Sequence, residues 1–273
     1  MTTIVRLYSE NATFQQIESL LRNRDKRQRR RGFVVEGVRQ INLALQYGWT
    51  INGWLYAPEG KLSSWAAGQL AQHPAPVHYE LTPALLDKLS NKEEPSELLA
   101  LVAMQPEEVG RIRLHADLLV VVFDRPASPG NLGTILRSCD ALGADGLIIT
   151  GHGVDLYEPE TVSASVGSLF AVPALRVGSP RDLEPWFAEA RQRIGPFQLV
   201  GSSAKADRLI AEHDWRPPTV LVLGNETSGM SAYYKERCDA IVKIPLVGTA
   251  TSLNVASAAS ILLYEIQRQR MAK

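Results

Sequence analysis

Three stretches of this chain gather glycine, amide, hydroxyl and charged groups where an apolar run ends: NLGTILRS (131–138), LVLGNETSGMS (221–231) and IPLVGTATSLNVASAAS (244–260). The first offers an amide, Asn131, and a guanidinium, Arg137, which lies off the apolar stripe of its helix. The second runs a buried-strand pattern straight into Gly224, Asn225 and Glu226. The third carries Ser252 and Asn254 at a helix entrance, followed by small residues that permit close packing. Groups of these types can align and hydrogen-bond a bound ligand. Taken singly, most have a plainer explanation: Asn131 and Ser252 as helix caps, Glu226 as a surface acid, Ala256–Ser260 as a tight helix contact. Only Arg137 lacks one.

Other chemistries fail on spacing. GNETSGMS (224–231) has the glycine spacing of a phosphate-binding loop, but Met230 stands where the phosphate-contacting lysine must be. GHGVDL (151–156) begins like a dinucleotide fingerprint, yet Leu156 replaces the final glycine. Histidines 73, 78, 115, 152 and 213 show no metal-ligand spacing, so no metal is expected.

Positioning the three stretches requires strands that end beside one another, and the apolar pattern supplies them. DLLVVVFD (117–124) and TVLVLG (219–224) are nearly continuous apolar runs, as expected of strands buried on both faces of a parallel sheet. DGLIIT (145–150), VPALRV (172–177), FQLVGSS (197–203) and IVKIPL (241–246) read as further strands. Leu132, Ile135, Leu136, Cys139 and Leu142 form a helical stripe, and a long helix spans 253–270. Strands alternating with helices over short connections imply a parallel sheet with helices on both faces, with ligands beyond the strands' carboxyl ends. Before the polar segment MQPEEVGRIRLHA (104–116), FVVEG, INGWLYAP, PVHYEL, two intervening helices and a third opened by Thr82-Pro83 make a smaller α/β unit.

The chain's 273 residues carry 29 basic and 29 acidic side chains, but the charge is unevenly spread. Seven basic residues fall in positions 22–31, and residues 22–39 as a whole are +6. A cationic strip on a neutral body suits phosphate contact, because binding is driven by local counterion release. Two cysteines, Cys139 and Cys238, form no disulfide framework, no apolar run is long enough to span a bilayer, and no secretory leader is apparent. A soluble, cytoplasmic protein without membrane contact is expected.

In order and wording, the three stretches resemble the motifs of the SpoU (TrmH-like) RNA ribose methyltransferases of the SPOUT superfamily. NLGTILRS is similar to motif one, LGNETSGMS to motif two and IPLVGTATSLNVASA to motif three, over about residues 117–268. The stretch leading into RRRGFVVEGVRQINLAL resembles the start of the L30e-like substrate-binding domain that precedes the catalytic domain in several members. The resemblance implies an α/β fold: a small L30e-like RNA-binding domain over 1–108, then a methyltransferase domain over 116–273 with a parallel sheet and a C-terminal trefoil knot.

It further implies S-adenosylmethionine as cofactor, bent in the knot pocket against Gly224, Ile244 and Leu253, and a catalytic set of Asn131, Arg137, Glu226, Ser252 and Asn254. A homodimer is expected, with structured RNA held by Lys26, Arg27, Arg29, Arg30 and Arg31. The reaction would be an in-line attack of a ribose 2′-hydroxyl on a sulfonium methyl, for which the protein supplies alignment and proton removal. Arg137 would act as the base or as a phosphate anchor; a guanidinium pKa of about 12 or more makes the neutral form costly. Ribosomal RNA is the first substrate expected and transfer RNA the alternative. A non-catalytic RNA-binding or ribosome-assembly protein on the same fold is the other alternative. Two departures from the family pattern stand out: the loop DRPASPGN before Asn131 is longer, and Thr227 replaces the glycine that follows the motif-two acid.

Overall fold

A computed structural model of the chain describes residues 2–90 and 92–272. They divide into two compact units: one runs up to Gln105 and takes in Tyr157–Phe170, and the other comprises Pro106–Leu156 and the chain from Ala171 onward.

In the first unit, β1 (Thr3–Leu7), β2 (Gly32–Glu36), β3 (Ile51–Tyr56), β4 (Val77–Leu81) and β5 (Leu98–Ala103) form a sheet in the order β1-β4-β3-β5-β2. β1, β4 and β3 run parallel, and β5 is antiparallel to both its neighbours. Its helices are α1 (Ala12–Arg22), α2 (Arg24–Arg30), α3 (Val38–Gln46), α4 (Ser64–Gln72) and α5 (Pro83–Leu89). Phe14, Ile17 and Leu20 recur at helical spacing on α1 and bury against Val34, Leu55 and Leu99 of the sheet. The basic strip forms α2, a short helix capped by the Asn23 side chain and closed by Arg31 in a left-handed conformation.

In the second unit the chain enters mid-sheet at β6 (Leu119–Asp124), passes through α6 (Pro129–Ala141), and adds β7 (Gly146–Thr150) and, later, β8 (Ala174–Val177) on one side. After α9 (Glu184–Ile194) it crosses to the other side for β9 (Gln198–Ser202), β10 (Arg208–Leu209), β11 (Thr219–Leu223), α10 (Ala232–Arg237) and β12 (Ala240–Lys243), and ends in α11 (Val255–Met271). The strand order is β10-β12-β9-β11-β6-β7-β8, parallel at every pairing. β11 thus slots between β9 and β6, so the loops following β6 and β11 leave neighbouring carboxyl ends. This is the switch point at which open α/β sheets bind ligands.

Between β7 and β8 lie α7 (Pro159–Ala164) and α8 (Ser168–Ala171), most of which packs in the first unit. Tyr157 lies 4.8 Å from Phe33 ring to ring, Phe170 lies 5.1 Å from Trp49, and the Trp49 indole donates to the Phe170 carbonyl. The family resemblance assigns all of 116–273 to one domain and has no counterpart to this excursion.

α6 and α11 run side by side. Ala256 and Ala259 are buried, Ser138 and Ser260 hydroxyls meet at 2.7 Å, and Gln267 donates to the Leu142 carbonyl. One expectation is corrected here. Asn131 does not cap α6: the Ser128 hydroxyl accepts from the Asn131 amide N–H and Pro129 takes the first helical position, leaving Asn131 inside the first turn. Likewise α11 is capped not by Ser252 but by Asn254, whose carbonyl oxygen accepts from the N–H groups of Ala256 and Ser257.

Candidate active site

The carboxyl ends of β9, β11 and β12 open onto a cleft of about 810 Å³. Seven of the expected catalytic and cofactor-binding residues line it: Asn131, Gly224, Glu226, Ile244, Ser252, Leu253 and Asn254. They arrive by four routes: Asn131 on the first turn of α6, Gly224 and Glu226 just past β11, Ile244 just past β12, and the last three on the approach to α11.

Glu226 is the node that joins the first two stretches. Its Oε2 accepts from the backbone N–H of Ala127 (2.9 Å), and its Oε1 from the N–H of Ser128 (3.1 Å) and from Asn131 Nδ2 (3.2 Å). Hydrogen bonds to a charged acceptor contribute about 1.5–3 kcal/mol each, so one carboxylate clamps the long loop before α6 to the loop after β11. Asn131 Oδ1 then accepts from Asn254 Nδ2 at 2.9 Å, which joins the third stretch. The bonding fixes both amide orientations: Asn131 must turn its nitrogen to Glu226 and its oxygen to Asn254, and the Asn254 oxygen must cap α11. Glu226, Asn131 and Asn254 therefore form one directed chain across contacts 95 and 123 residues apart in sequence.

Behind this chain lies a support that sequence reasoning missed. Asp124, fully buried at the end of β6, accepts from the Ser231 N–H (2.7 Å), the Thr150 hydroxyl (3.3 Å) and the Arg125 guanidinium. Arg125 donates onward to the Gly229 carbonyl (3.0 Å), and Asn225 Nδ2 donates to the Arg125 carbonyl (2.7 Å). The signal was an acid terminating an otherwise apolar run, for a buried carboxylate requires such partners. The same network explains the loop after β11. Asn225 Oδ1 accepts from the N–H groups of Thr227 and Ser228, and Gly229 takes the left-handed conformation (φ 67°) that closes the turn. Thr227 is absent from the positive-φ positions, so the loop does not require glycine there. Gly224 is required for space: a β-carbon would lie 2.3 Å from the Met230 nitrogen.

Arg137 stands apart. It is exposed on α6, about 9 Å along the helix axis from Asn131, it is not among the cleft-lining residues, and it has no hydrogen bond or ion pair among the described residues. In the first unit, Lys26, Arg29, Arg30 and Arg31 are exposed, and Arg31 also donates to the Gln105 carbonyl. Arg27 departs from the expected RNA-binding role. It is only 3% exposed, and its guanidinium donates to the Leu20 and Leu21 carbonyls, satisfying the end of α1. The cleft also takes in Ser203, Lys205 and Lys235, none of which carries a sequence signal of its own.

Among the described residues, no helix is long and apolar enough to cross a membrane. Residues 118–264 match the SpoU rRNA Methylase family and residues 11–100 the SpoU L30e-like domain. The 23S rRNA (uridine(2479)-2'-O)-methyltransferase of Streptomyces viridochromogenes is 46% identical over 269 residues, 98% of this chain and 93% of that protein. The crystal structure of the SpoU methyltransferase AviRb from the same organism, in complex with AdoMet, superposes with a TM-score of 0.91 at 46% identity, covering 96% of this chain and 99% of that one. An AdoMet-bound rRNA methyltransferase from Sinorhizobium meliloti gives a TM-score of 0.84 at 30% identity, covering 97% and 98% of the two chains.

Proposed function

This chain belongs to the SpoU rRNA methylase family, and from that premise we propose that it transfers a methyl group from S-adenosylmethionine to a ribose 2′-hydroxyl of ribosomal RNA in the cytoplasm. The observation that carries the reading is the directed chain Glu226–Asn131–Asn254, which draws all three motifs into one cleft. Bound S-adenosylmethionine supplies a methyl carbon already activated by its sulfonium. The cleft suits it: the partly exposed apolar side chains of Leu246 and Leu253 line it together with the hydroxyls of Ser203, Thr251 and Ser252, a mixture that fits a molecule with a purine at one end and an amino acid at the other. Gly224, Ile244 and Leu253 would hold it.

The chain's own groups then do the positioning. Asn131 spends one amide N–H on Glu226 and one oxygen lone pair on Asn254, which leaves one of each for the acceptor nucleotide. Glu226 holds the loops still, so that alignment is established before the substrate arrives. Arg137 binds the phosphate that flanks the target ribose and sets the hydroxyl in line, with the proton leaving to solvent or to the phosphate. A homodimer completes the site. α11 exposes Ile261 and Tyr264 (37% and 60%) three positions apart on one face, an apolar patch suited to a second copy, and Arg137 is available to that copy's cleft. The passage from β12 through 244–254 into α11 is the knotted part.

Incubating the protein with methyl-labelled S-adenosylmethionine and either ribosomal or transfer RNA, and then mapping blocked 2′-positions, tests the assignment. Label in ribosomal RNA at a ribose is expected. Cofactor binding without label in either RNA would favour a non-catalytic RNA-binding protein. Replacing Arg29, Arg30 and Arg31 by Gln should weaken RNA binding and flatten its salt dependence, by about one log unit per log of salt for each phosphate that is no longer neutralised.

A further inference from the structure

The first unit carries a second, smaller cavity of about 180 Å³ beside the basic helix α2. It lies between α1 and the sheet, and β2, β3, β4 and β5 each lend it lining residues. Gly53 lets Tyr79 and Leu101, two of the cavity's lining side chains, pack close over the sheet: a β-carbon there would lie 3.1 Å from Tyr79 Cε2, 3.2 Å from the Val77 carbonyl oxygen and 3.5 Å from Leu101 Cδ1. Ile17 and Leu20 close the apolar side. Besides the hydroxyls of Thr13 and Tyr79, three polar side chains line it: the amides of Gln16 and Asn52 and the guanidinium of Arg30. None of the three has a side-chain hydrogen bond or ion pair among the described residues. The Asn52 amide nitrogen lies over the bare backbone of Gly32, 3.9 Å from where a β-carbon would sit. Burial pushes the Tyr79 phenol above its ordinary value, while the nearby Arg30 cation opposes that shift.

We propose that this cavity receives a single unpaired base of the RNA. Tyr79 and Leu101 form its apolar wall, Gln16 and Asn52 bond the base edge, and Arg30 bonds the adjacent phosphate. Its volume falls below the roughly 300–1,000 Å³ of drug-sized ligand sites and suits one planar ring. An aromatic wall with amides that can both donate and accept is the means by which splayed-out bases of RNA are recognised. Arg30 is an exposed cation in the cavity lining, and exposed Arg29 precedes it on α2. The inference rests on RNA being the substrate.

The test uses the full chain and labelled pentanucleotides of each of the four bases, plus one with an abasic central ribose, with binding followed by fluorescence anisotropy at several salt concentrations. At least one base should bind about tenfold more tightly than the abasic oligonucleotide. The double variant Gln16→Ala/Asn52→Ala, both at exposed positions, should lose most of that preference. Its affinity for the abasic oligonucleotide, its salt slope and its S-adenosylmethionine binding should stay unchanged. Equal binding of abasic and intact oligonucleotides, or full preference in the double variant, would overturn the base pocket and leave the methyl-transfer reading standing. If the protein neither binds nor methylates any RNA, the functional reading fails and the pocket with it.

Discussion

Asn254 does two jobs with two ends of one amide: its oxygen caps α11, and its nitrogen holds Asn131. A pair of substitutions separates them. Asn254→Ala removes both and should cost about 0.5–2 kcal/mol of stability through the lost cap, together with most of the methyl transfer. Asn254→Asp keeps an oxygen for the cap, and its charge favours the helix N-terminus. Its second oxygen, however, would face the Asn131 oxygen, and a turned Asn131 would then oppose Glu226. The aspartate variant should therefore recover thermal stability but not activity. Thermal unfolding measured alongside methyl incorporation checks this, and parallel recovery of both would show that only the cap matters. Arg137, exposed and unpaired among the described residues, should behave in the opposite way. Arg137→Ala should leave stability within about 0.5 kcal/mol and S-adenosylmethionine affinity intact while abolishing turnover.

Among the elements, the loop after β11 is held on one side by Asp124 and Arg125 and on the other by its own tight return. Gly224→Ala places a methyl group 2.3 Å from the Met230 nitrogen, so the loop must move. A loss of about 1–3 kcal/mol in stability and weakened cofactor binding by calorimetry are expected. A second prediction concerns His213, which ties the segment before β11 to β9 and α11. Its Nδ1 faces an Arg208 N–H, its Nε2 meets the Gln198 oxygen, and its carbonyl accepts from Gln269. Burial, and then Arg208, hold its pKa below the ordinary 6.5. As pH falls through that value the unfolded chain takes up the proton first, so stability should drop on the acid side and stay flat above neutrality. Denaturant unfolding across pH 5 to 8 should show this slope in the native protein and a shallower one in His213→Gln.

The central strands of the second unit were legible because strands buried on both faces leave continuous apolar runs, as in LVVVF of β6 and TVLVL of β11. β1, an edge strand with mostly exposed residues, leaves no such trace. The motif residues were legible as a set, but their bonds were not. Ser128 followed by Pro129 carried the capping signal that displaced Asn131, while the burial of Arg27 depends on how α2 folds back on α1, which a run of like charges conceals.

For the whole molecule, the position of Arg137 bears on assembly. If the enzyme works as a pair of copies, each lending Arg137 to the other's cleft, mixing inactive Arg137→Ala with inactive Asn131→Ala should restore one working cleft per mixed pair. About a quarter of native activity should then return by the statistics of random pairing, and no return on mixing and re-equilibration would show that each copy uses its own arginine. The excursion of Tyr157–Phe170 into the first unit carries a different consequence, for the order of synthesis. Phe33 and Trp49 emerge from the ribosome long before Tyr157 and Phe170, the rings that cover them. The nascent front end thus carries an open aromatic face while more than fifty further residues are translated, and at about 5–20 residues per second that lasts several seconds. Neither unit can be excised as an uninterrupted piece: a clone ending at Gln105 lacks the plug of its own core.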